Sequence, residues 1–387
     1  MTDLARTCDP EEVTDLTREM VRANTVNPPG NEAALARTLQ AWAEARGLTA
    51  TLQPLEAERA NLPVRLPGSG GAPSLLYNWH LATVPPGELA WRHDPFGATV
   101  EGDRLYGRGA TDMKGGLAAM LAAAAALRRS GARLRGDLVV ACTAGEEVDS
   151  VGAKALAAAG TLSPSALLIA EPTDLAVAVA EKGALWLEVS TAGRMAHGSA
   201  PHEGLNAILP MARLVSALGT LPLPAAGHPL LGRSTLNVAT IRGGIKTNVV
   251  PDRCVLTLDI RTLPGQDHAA ILDAVRALLA EALRGEPGTT GQVRALNDMP
   301  PVETPAADPF VACVREVAAD LLGEARPPGG VPYYTDGAIL APAFKVPLVI
   351  CGPGEPSCLH QTDEWVRLPR LAEATRLYAE VAAAWLT

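Results

Sequence analysis

The fold of this chain is decided by the stretch Gly107-Arg108-Gly109-Ala110-Thr111-Asp112-Met113-Lys114-Gly115-Gly116. It places the carboxylate of Asp112 in a glycine-rich bend between a strand-like run, residues 102–106, and a long Ala/Leu-rich helix, residues 117–129. An aspartate before a helix is commonly an N-cap, and by itself Asp112 fits that role as well as metal binding. A carboxylate can, however, give one oxygen to each of two metal ions, which lie roughly 3.5–4 Å apart in two-metal hydrolytic sites.

Other candidate ligands occur at ordered distances from Asp112, each after an apolar run that is typical of a strand: His80, Glu146-Glu147, Glu171 and His360. Ligands in open α/β sheets bind beyond the carboxyl ends of the strands, so we expect these side chains to meet. Imidazoles and carboxylates are the ligands that zinc takes in hydrolases. The sequence therefore predicts a site for two divalent metals with Asp112 as the bridge. Cys358, two residues before His360, is a weaker candidate ligand.

The two adjacent glutamates are expected to have different roles. Adjacent side chains on an extended chain point in opposite directions, so one can bind a metal while the other faces the substrate. We assign Glu147 as the ligand and Glu146 as the general base that takes a proton from water and passes it to the leaving amine. The alternative, two solvated acids on a surface loop, is weakened by the apolar run 138–142 just before them.

Composition limits the class of protein. The chain has 387 residues, of which 48% are hydrophobic and 19% charged, and this predicts a globular protein of two domains. A net charge of −9 argues against nucleic acid as a partner. The apolar run 117–127 is too short to span a bilayer, and the N-terminus has no apolar signal core. The six cysteines form no Cys-x-x-Cys pair, so we predict free thiols, a cytoplasmic location and no membrane partner.

The order of elements predicts two domains, one inserted in the other. Strands alternate with helices in residues 1–181 and again in 300–387, which indicates an α/β domain with an open mixed sheet flanked by helices. Residues 182–299 have the order β-α-β-β-α-β, typical of a ferredoxin-like α+β domain. We therefore predict a discontinuous catalytic domain that carries the metal site, with a smaller domain inserted into it.

Further motifs follow the same order as in a known family: Glu171-Pro172-Thr173, Ala196-His197-Gly198-Ser199-Ala200-Pro201, Asn248-Val249-Val250-Pro251, Asp259-Ile260-Arg261, Thr335-Asp336 and His360-Gln361. Together with the stretch around Asp112, they resemble the di-zinc metallopeptidase and amidohydrolase family of acetylornithine deacetylase, succinyl-diaminopimelate desuccinylase, aminoacylase and carboxypeptidase G. The resemblance begins at Leu76 and covers most of the chain.

The resemblance implies a role for each motif. His80 and Glu171 would bind one zinc, Glu147 and His360 the other, with Asp112 between them and Glu146 as base. The inserted domain would be a lid and a dimerisation domain, from which His197 reaches the partner's active site and stabilises the oxyanion. Asn248 and Arg261 would hold the substrate, with Arg261 gripping its carboxylate as a fork. Read without the family, His197 is an ordinary surface-loop histidine and Arg261 a solvated charge at a strand end.

The implied cofactors are two divalent metals, zinc or alternatively cobalt or manganese. The implied partners are a small N-acyl amino acid or a dipeptide and a second copy of the chain.

The chain departs from the family pattern at the first ligand. The family reads Gly-His-x-Asp, whereas this chain reads Trp79-His80-Leu81-Ala82. The missing Asp normally accepts a hydrogen bond from the ligand histidine, and losing such a partner typically costs roughly 10–100-fold in metal affinity or activity. Trp79 replaces a glycine, which tolerates backbone shapes that Trp adopts poorly, and it puts a large ring beside the metal pocket.

Three hypotheses follow. The first is zinc-dependent hydrolysis of the amide bond of an N-acyl amino acid, of the acetylornithine deacetylase or succinyl-diaminopimelate desuccinylase type. The second is an activity-impaired relative that binds metal and amino-acid ligands, motivated by Trp79 and Ala82. The third is a dipeptidase or carboxypeptidase of the same family, which differs only in its substrate.

Overall fold

The computed structural model describes residues 3–56, 58–224 and 226–387, and these form two compact units. The first unit consists of Met1–Ala180, Glu303–Gly330 and Thr335–Thr387, and the second of Glu181–Val302 and Val331–Tyr334. The predicted boundaries, after residues 181 and 299, lie next to these bounds. The return of the chain to the second unit at Val331–Tyr334 was not predicted.

The α-helices in the described residues are α1 (Pro10–Arg22), α2 (Glu32–Glu44), α3 (Gly115–Ser130), α4 (Val151–Ala159), α5 (Ile208–Ala217), α6 (His268–Ala282), α7 (Pro309–Leu322), α8 (Gly337–Phe344) and α9 (Leu368–Leu386). The strands there are β1 (Thr49–Ala50), β2 (Gln53–Pro54), β3 (Ala60–Leu66), β4 (Ser74–His80), β5 (Thr99–Glu101), β6 (Arg104–Tyr106), β7 (Leu138–Thr143), β8 (Pro164–Pro172), β9 (Ala178–Glu181), β10 (Gly183–Ala192), β11 (Thr235–Gly243), β12 (Arg253–Thr262), β13 (Thr290–Met299), β14 (Val302–Glu303), β15 (Gly329–Val331), β16 (Leu348–Gly352) and β17 (Trp365–Arg367).

The main sheet of the first unit contains the strands that lead to the candidate ligands. Over its central part the order is β3-β7-β4-β8-β16-β9, and β7, β4, β8 and β16 are parallel. Antiparallel β3 and β9 flank them. The parallel strands are almost entirely buried, as expected for a sheet covered by helices on both faces. The predicted open mixed α/β sheet is confirmed, and it brings the carboxyl ends of four strands to one edge.

Close packing brings the Asp112 bend to this edge. Helix α3 begins at Gly115, and a Cβ on Gly116 would lie only 2.7 Å from the carbonyl oxygen of Ala170 in β8. Only glycine permits this approach of helix to strand. The start of α3 is therefore held against the end of β8, where Glu171 follows Ala170.

The second unit has the β-α-β-β-α-β order predicted for the inserted segment. Its sheet has the strand order β11-β12-β10-β13, and every pairing is antiparallel. Side chains of β10 and β12 pack with those of α5 and α6 in one apolar core. Strands β11 and β13 are the edges of this sheet, and most of their residues are exposed or half-buried.

One small sheet was missed. The predicted strand over residues 102–106 is a turn at Gly102, with φ of 64°, followed by the short strand β6. Strand β6 pairs with β5 and with β17, and Trp365 lies opposite Tyr106. Strands of three residues carry too little periodicity to be recognised. This sheet joins the bend at Gly107 to the segment after His360, because the Gly107 N–H donates to the carbonyl of Glu364 at 2.9 Å.

All six cysteines are free thiols, as predicted. Among the described residues, no helix has both the length and the apolar character needed to cross a membrane.

Candidate active site

Asp112 lies between the two histidines. Its Oδ1 is 3.3 Å from Nε2 of His80, and its Oδ2 is 3.2 Å from Nε2 of His360. Oε1 of Glu171 is 3.4 Å from the same nitrogen of His80, and Oε2 of Glu147 is 3.3 Å from that of His360. Two triads that share Asp112 result, and the ligand atoms of each lie within 4.8 Å of one another. The structure thus brings together all five candidate ligands, in the pairs that the resemblance implied.

The two glutamates lie in a turn after β7, so the expectation of an extended chain there was wrong. The Gly145 carbonyl accepts N–H groups from residues 148, 149 and 150, which closes the turn tightly. The two carboxylates nevertheless separate, since Glu147 approaches His360 while Oε2 of Glu146 lies 3.9 Å from Nε2 of His80. Burial, together with the nearby carboxylates of Glu147 and Glu171, raises the pKa of Glu146 well above its ordinary value.

The electrostatics of the cluster require cations. Four carboxylates, those of Asp112, Glu146, Glu147 and Glu171, lie around the two imidazoles. Burial lowers the pKa of His80, but Asp112 and Glu171 overcome this and raise it well above its usual value. Asp112 and Glu147 raise the pKa of His360 to about 11. A positive charge beside each imidazole therefore stabilises the cluster, and either a proton or a metal ion can supply it.

Two buried atoms fit metal ions better than protons. Nε2 of His80 and Oε1 of Glu147 are buried and have no hydrogen-bond partner among the described residues. Buried polar atoms are rarely left without partners. Two divalent ions would give both atoms a partner, and their charge of +4 would balance the four carboxylates.

His80 has a hydrogen-bond partner where none was expected. Its Nδ1 lies 2.9 Å from the backbone carbonyl oxygen of Ala82. A carbonyl only accepts, so Nδ1 carries the proton and, in the neutral ring, Nε2 presents a lone pair to the cluster. Backbone carbonyls serve as such partners in metal sites, as carboxylates do. Ala82 thus supplies through its backbone the contact that the absent Asp side chain makes in the family.

Trp79 does not strain the backbone, contrary to the expectation from the replaced glycine. It lies within β4, in register with Cys142 of β7. Its side chain is completely buried, and its indole N–H donates to the carbonyl of Met113. The ring lies next to the site as predicted, with its centroid 6.3 Å from that of His80 and the two planes 15° apart.

Sequence reasoning missed the carboxylate that shapes the Asp112 bend. Glu364 is fully buried, and its two oxygens accept the N–H groups of Gly109, Thr111 and Asp112 at 2.8–3.0 Å. Its Oε2 also accepts from Nη1 of buried Arg108 at 2.6 Å. In the sequence, Glu364 belongs to a polar segment after His360, and no pattern there distinguishes it. Only the pairing of β6 with β17 shows that it lies beneath the bend.

The turn that carries Glu146 and Glu147 is supported by another unpredicted residue. Arg59 binds Asp149 with two hydrogen bonds of 3.0 and 3.2 Å, and its Nε lies 3.6 Å from the buried carboxylate of Glu32. Gly145 has a φ of 81°, and a Cβ there would lie 1.9 Å from Nη2 of Arg59. The turn can close over the guanidinium only because residue 145 is glycine.

The other candidate residues lie in the second unit. His197 is exposed, and its Nδ1 accepts the N–H of Ser199 at 3.2 Å, which leaves the proton of the neutral ring on Nε2. Its neighbour Gly198 donates to the carbonyl of Asn248 at 2.8 Å, so His197 and Asn248 belong to one loop cluster. Arg261 forms a two-bonded ion pair with Asp259, at 2.9 and 3.2 Å, in its own strand.

An α/β sheet that collects two histidines and three glutamates around one shared aspartate is the arrangement of a metal-dependent hydrolase. The chain belongs to peptidase family M20/M25/M40, whose model matches residues 76–384.

Two relatives and one solved structure show the range of this similarity. The chain is 31% identical to acetylornithine deacetylase of Proteus mirabilis over 359 residues, which cover 90% of this chain and 89% of that protein. It is 29% identical to a probable succinyl-diaminopimelate desuccinylase of Staphylococcus epidermidis, and the match covers 85% of this chain and 87% of that protein. The YXEP protein of Bacillus subtilis, a dinuclear metal-binding peptidase of family M20, has the same fold, with a TM-score of 0.75 at 17% sequence identity. The superposition covers 97% of this chain and 98% of that protein.

The buried pair of Glu364 and Arg108 yields a stability prediction. Glu364→Gln leaves the Arg108 charge buried and unpaired, and removing one partner of a buried ion pair typically costs about 3–5 kcal/mol. We expect a loss of that size in the free energy of unfolding, measured by urea titration. Glu324→Gln is the matched control, because Glu324 pairs with Arg326 in solvent and should cost less than about 1 kcal/mol. Equal losses for the two variants would contradict the role given to Glu364.

Proposed function

We propose that this protein uses two divalent metals, most simply zinc, to hydrolyse the amide bond of an N-acyl amino acid. The observation that carries the proposal is the shared position of Asp112 between the two triads. His80 and Glu171 would hold one ion and Glu147 and His360 the other. Cobalt or manganese could bind to the same nitrogen and oxygen ligands. The acetyl and succinyl groups handled by the named relatives make N-acetyl- and N-succinyl-amino acids the first substrates to test.

Glu146 is the proposed general base. When bound, the metals supply Lewis acidity, which makes a water molecule easier to deprotonate and polarises the amide carbonyl. Glu146 is buried, belongs to neither triad, and burial raises its pKa well above the ordinary value, so its carboxylate takes up a proton more readily than a free glutamate does. It would take the proton from the attacking water and deliver it to the leaving nitrogen.

The second unit would complete the site. His197 carries its proton on Nε2, the form needed to donate a hydrogen bond to an oxyanion. Asn248 would bind the substrate beside it. Arg261 would bind the substrate carboxylate with its fork, exchanging Asp259 for the substrate. We propose, as the resemblance implied, that His197 acts on the active site of a second copy of the chain.

Exposed features of the second unit support this pairing with a second copy. The edge strand β11 has its N–H and C=O groups open along one side, and its Ile241 is 53% exposed. Ile245, after this strand, is 74% exposed, and Leu209 on α5 is 50% exposed. An open strand edge with exposed large apolar side chains favours association with another chain.

An impaired relative is the second candidate, and it rests on Trp79 and Ala82. Its physical basis is weakened, because the Ala82 carbonyl already orients His80. A dipeptidase or carboxypeptidase of the same family would use the same centre and differ only in the group joined to the scissile nitrogen.

Replacing Glu146 tests the proposed function. We expect Glu146→Gln to retain two metals per chain, measured by mass spectrometry, and to lose roughly 10²–10⁴-fold in turnover, because general-base catalysis contributes that much. Unmodified protein with two metals and measurable hydrolysis of N-acetyl- or N-succinyl-amino acids is the reference. Unchanged turnover in the variant would show that Glu146 is not the base, and an unmodified chain that binds no metal would overturn the proposal.

Restoring the missing Asp tests the second candidate. Because the Ala82 carbonyl already accepts a hydrogen bond from Nδ1 of His80, we expect Ala82→Asp to change zinc affinity and turnover less than about 10-fold, the lower limit for losing such a partner. Zinc affinity is measured by competition with a chelating dye, and turnover on the substrates above. A gain of 100-fold or more would favour the impaired relative.

Mixing two inactive variants tests the action of His197 on the partner. Glu146→Gln still provides His197, and His197→Ala still provides Glu146. After subunit exchange in an equal mixture, half of the dimers contain both chains and one of their two sites is complete, so we expect about a quarter of the wild-type activity. If His197 serves its own chain, or if sedimentation shows only monomers, the mixture stays inactive.

A further inference from the structure

The backbone lacks helical geometry at Asp112 and at the next residue, Met113. Asp112 has φ and ψ of −117° and 91°, and Met113 of −136° and 35°, although helix α3 begins only two residues later. Met113 is completely buried. Peptide groups at these positions therefore need partners from outside the helix, because an unpaired buried peptide group is costly.

Two side chains from distant parts of the sequence provide these partners. Glu364 accepts the N–H of Asp112 at 2.9 Å, which fixes the peptide group before the carboxylate. The indole N–H of Trp79 donates to the carbonyl of Met113, which fixes the chain just after it. Glu364 therefore holds the bend through a backbone N–H group, and Trp79 holds it through a backbone carbonyl.

Trp79 has no counterpart in the pattern Gly-His-x-Asp, since glycine has no side-chain donor. The indole of Trp79 is completely buried, and a buried Trp N–H needs a hydrogen-bond acceptor. Among the described contacts, the Met113 carbonyl is the acceptor it uses. Trp79 adjoins His80 in β4, so two neighbouring residues contact the bend: Trp79 at the carbonyl of Met113 and His80 at the carboxylate of Asp112.

We propose that Trp79 is a positioning residue for the bridging carboxylate: its indole N–H fixes the Met113 carbonyl and so holds Asp112 between His80 and His360. This rests on the proposed metal site. Buried groups that orient metal ligands typically change metal affinity by roughly 10–100-fold when they are removed. The indole should therefore be needed for tight binding of both ions, since both triads share Asp112.

The test compares two Trp→Phe variants of the 387-residue chain. Trp79→Phe keeps an aromatic ring and removes the N–H donor. Trp385→Phe is the matched control, because the Trp385 indole donates to Oγ of Ser165, which belongs to neither triad. Zinc affinity is measured by competition with a chelating dye. The coordination of added cobalt is followed by its visible absorption spectrum, which loss of stability alone does not alter.

The expected result is roughly 10–100-fold weaker zinc binding and an altered cobalt spectrum for Trp79→Phe, with neither change for Trp385→Phe. Wild-type affinity and spectrum in a folded Trp79→Phe chain would overturn the proposal and leave the metal site intact. If wild-type protein itself binds no metal, the proposed function fails instead, so the two failures are distinguishable.

A second measurement covers the case in which Trp79→Phe does not fold. The wild-type chain is labelled with ¹⁵N at its six tryptophans, and the signals of the indole N–H groups are recorded by nuclear magnetic resonance before and after zinc is added. The indole signal of Trp79 is identified by elimination, with Phe variants of the other five. It should shift on metal binding, while the signal of Trp385 stays in place. No shift of the Trp79 signal overturns the proposal.

Discussion

The structure depends on one electrostatic constraint, the burial of four carboxylates around two imidazoles. Like charges at such distances repel, and burial strengthens the repulsion because water no longer screens it. Asp112 reduces the cost by facing both histidines, with one oxygen toward each. Cations between these groups turn the repulsion into attraction. The fold therefore supplies a centre that is stabilised by positive charge, and this is the basis of the metal-dependent chemistry that we propose.

The rest of the first unit fixes the geometry of this centre through buried contacts. The parallel strands bring His80, the turn after β7 and Glu171 to one edge. Glu364 and Arg108 hold the bend of Asp112 to the small sheet of β5, β6 and β17. The carbonyl of Ala82 sets the tautomer of His80. Preorganised side chains of this kind lower the cost of arranging a site during the reaction.

The fold and the members of the candidate metal site could be predicted because both leave local signals in the sequence. Apolar runs marked the strands, and His80, Glu147, Glu171 and His360 after them marked the edge where they meet. The glycine-rich bend marked Asp112, and the structure brings these five side chains together. Glu364 and Arg59 could not be found in this way, since each acts through a partner distant in sequence, such as Thr111 or Asp149. The contact of His80 with residue 82 could not be predicted, because it uses a backbone carbonyl, which no side-chain pattern reveals.

The most direct test of Asp112 as the bridge between two metals is the location of metal ions by anomalous diffraction at the zinc edge, from crystals of the 387-residue chain grown with zinc. We expect two peaks, one beside His80 and Glu171 and one beside Glu147 and His360. Each should lie about 2.0–2.2 Å from a different oxygen of Asp112, the usual distance for a carboxylate on zinc. A single peak, or two peaks that do not share Asp112, would show that Asp112 does not bridge two metals.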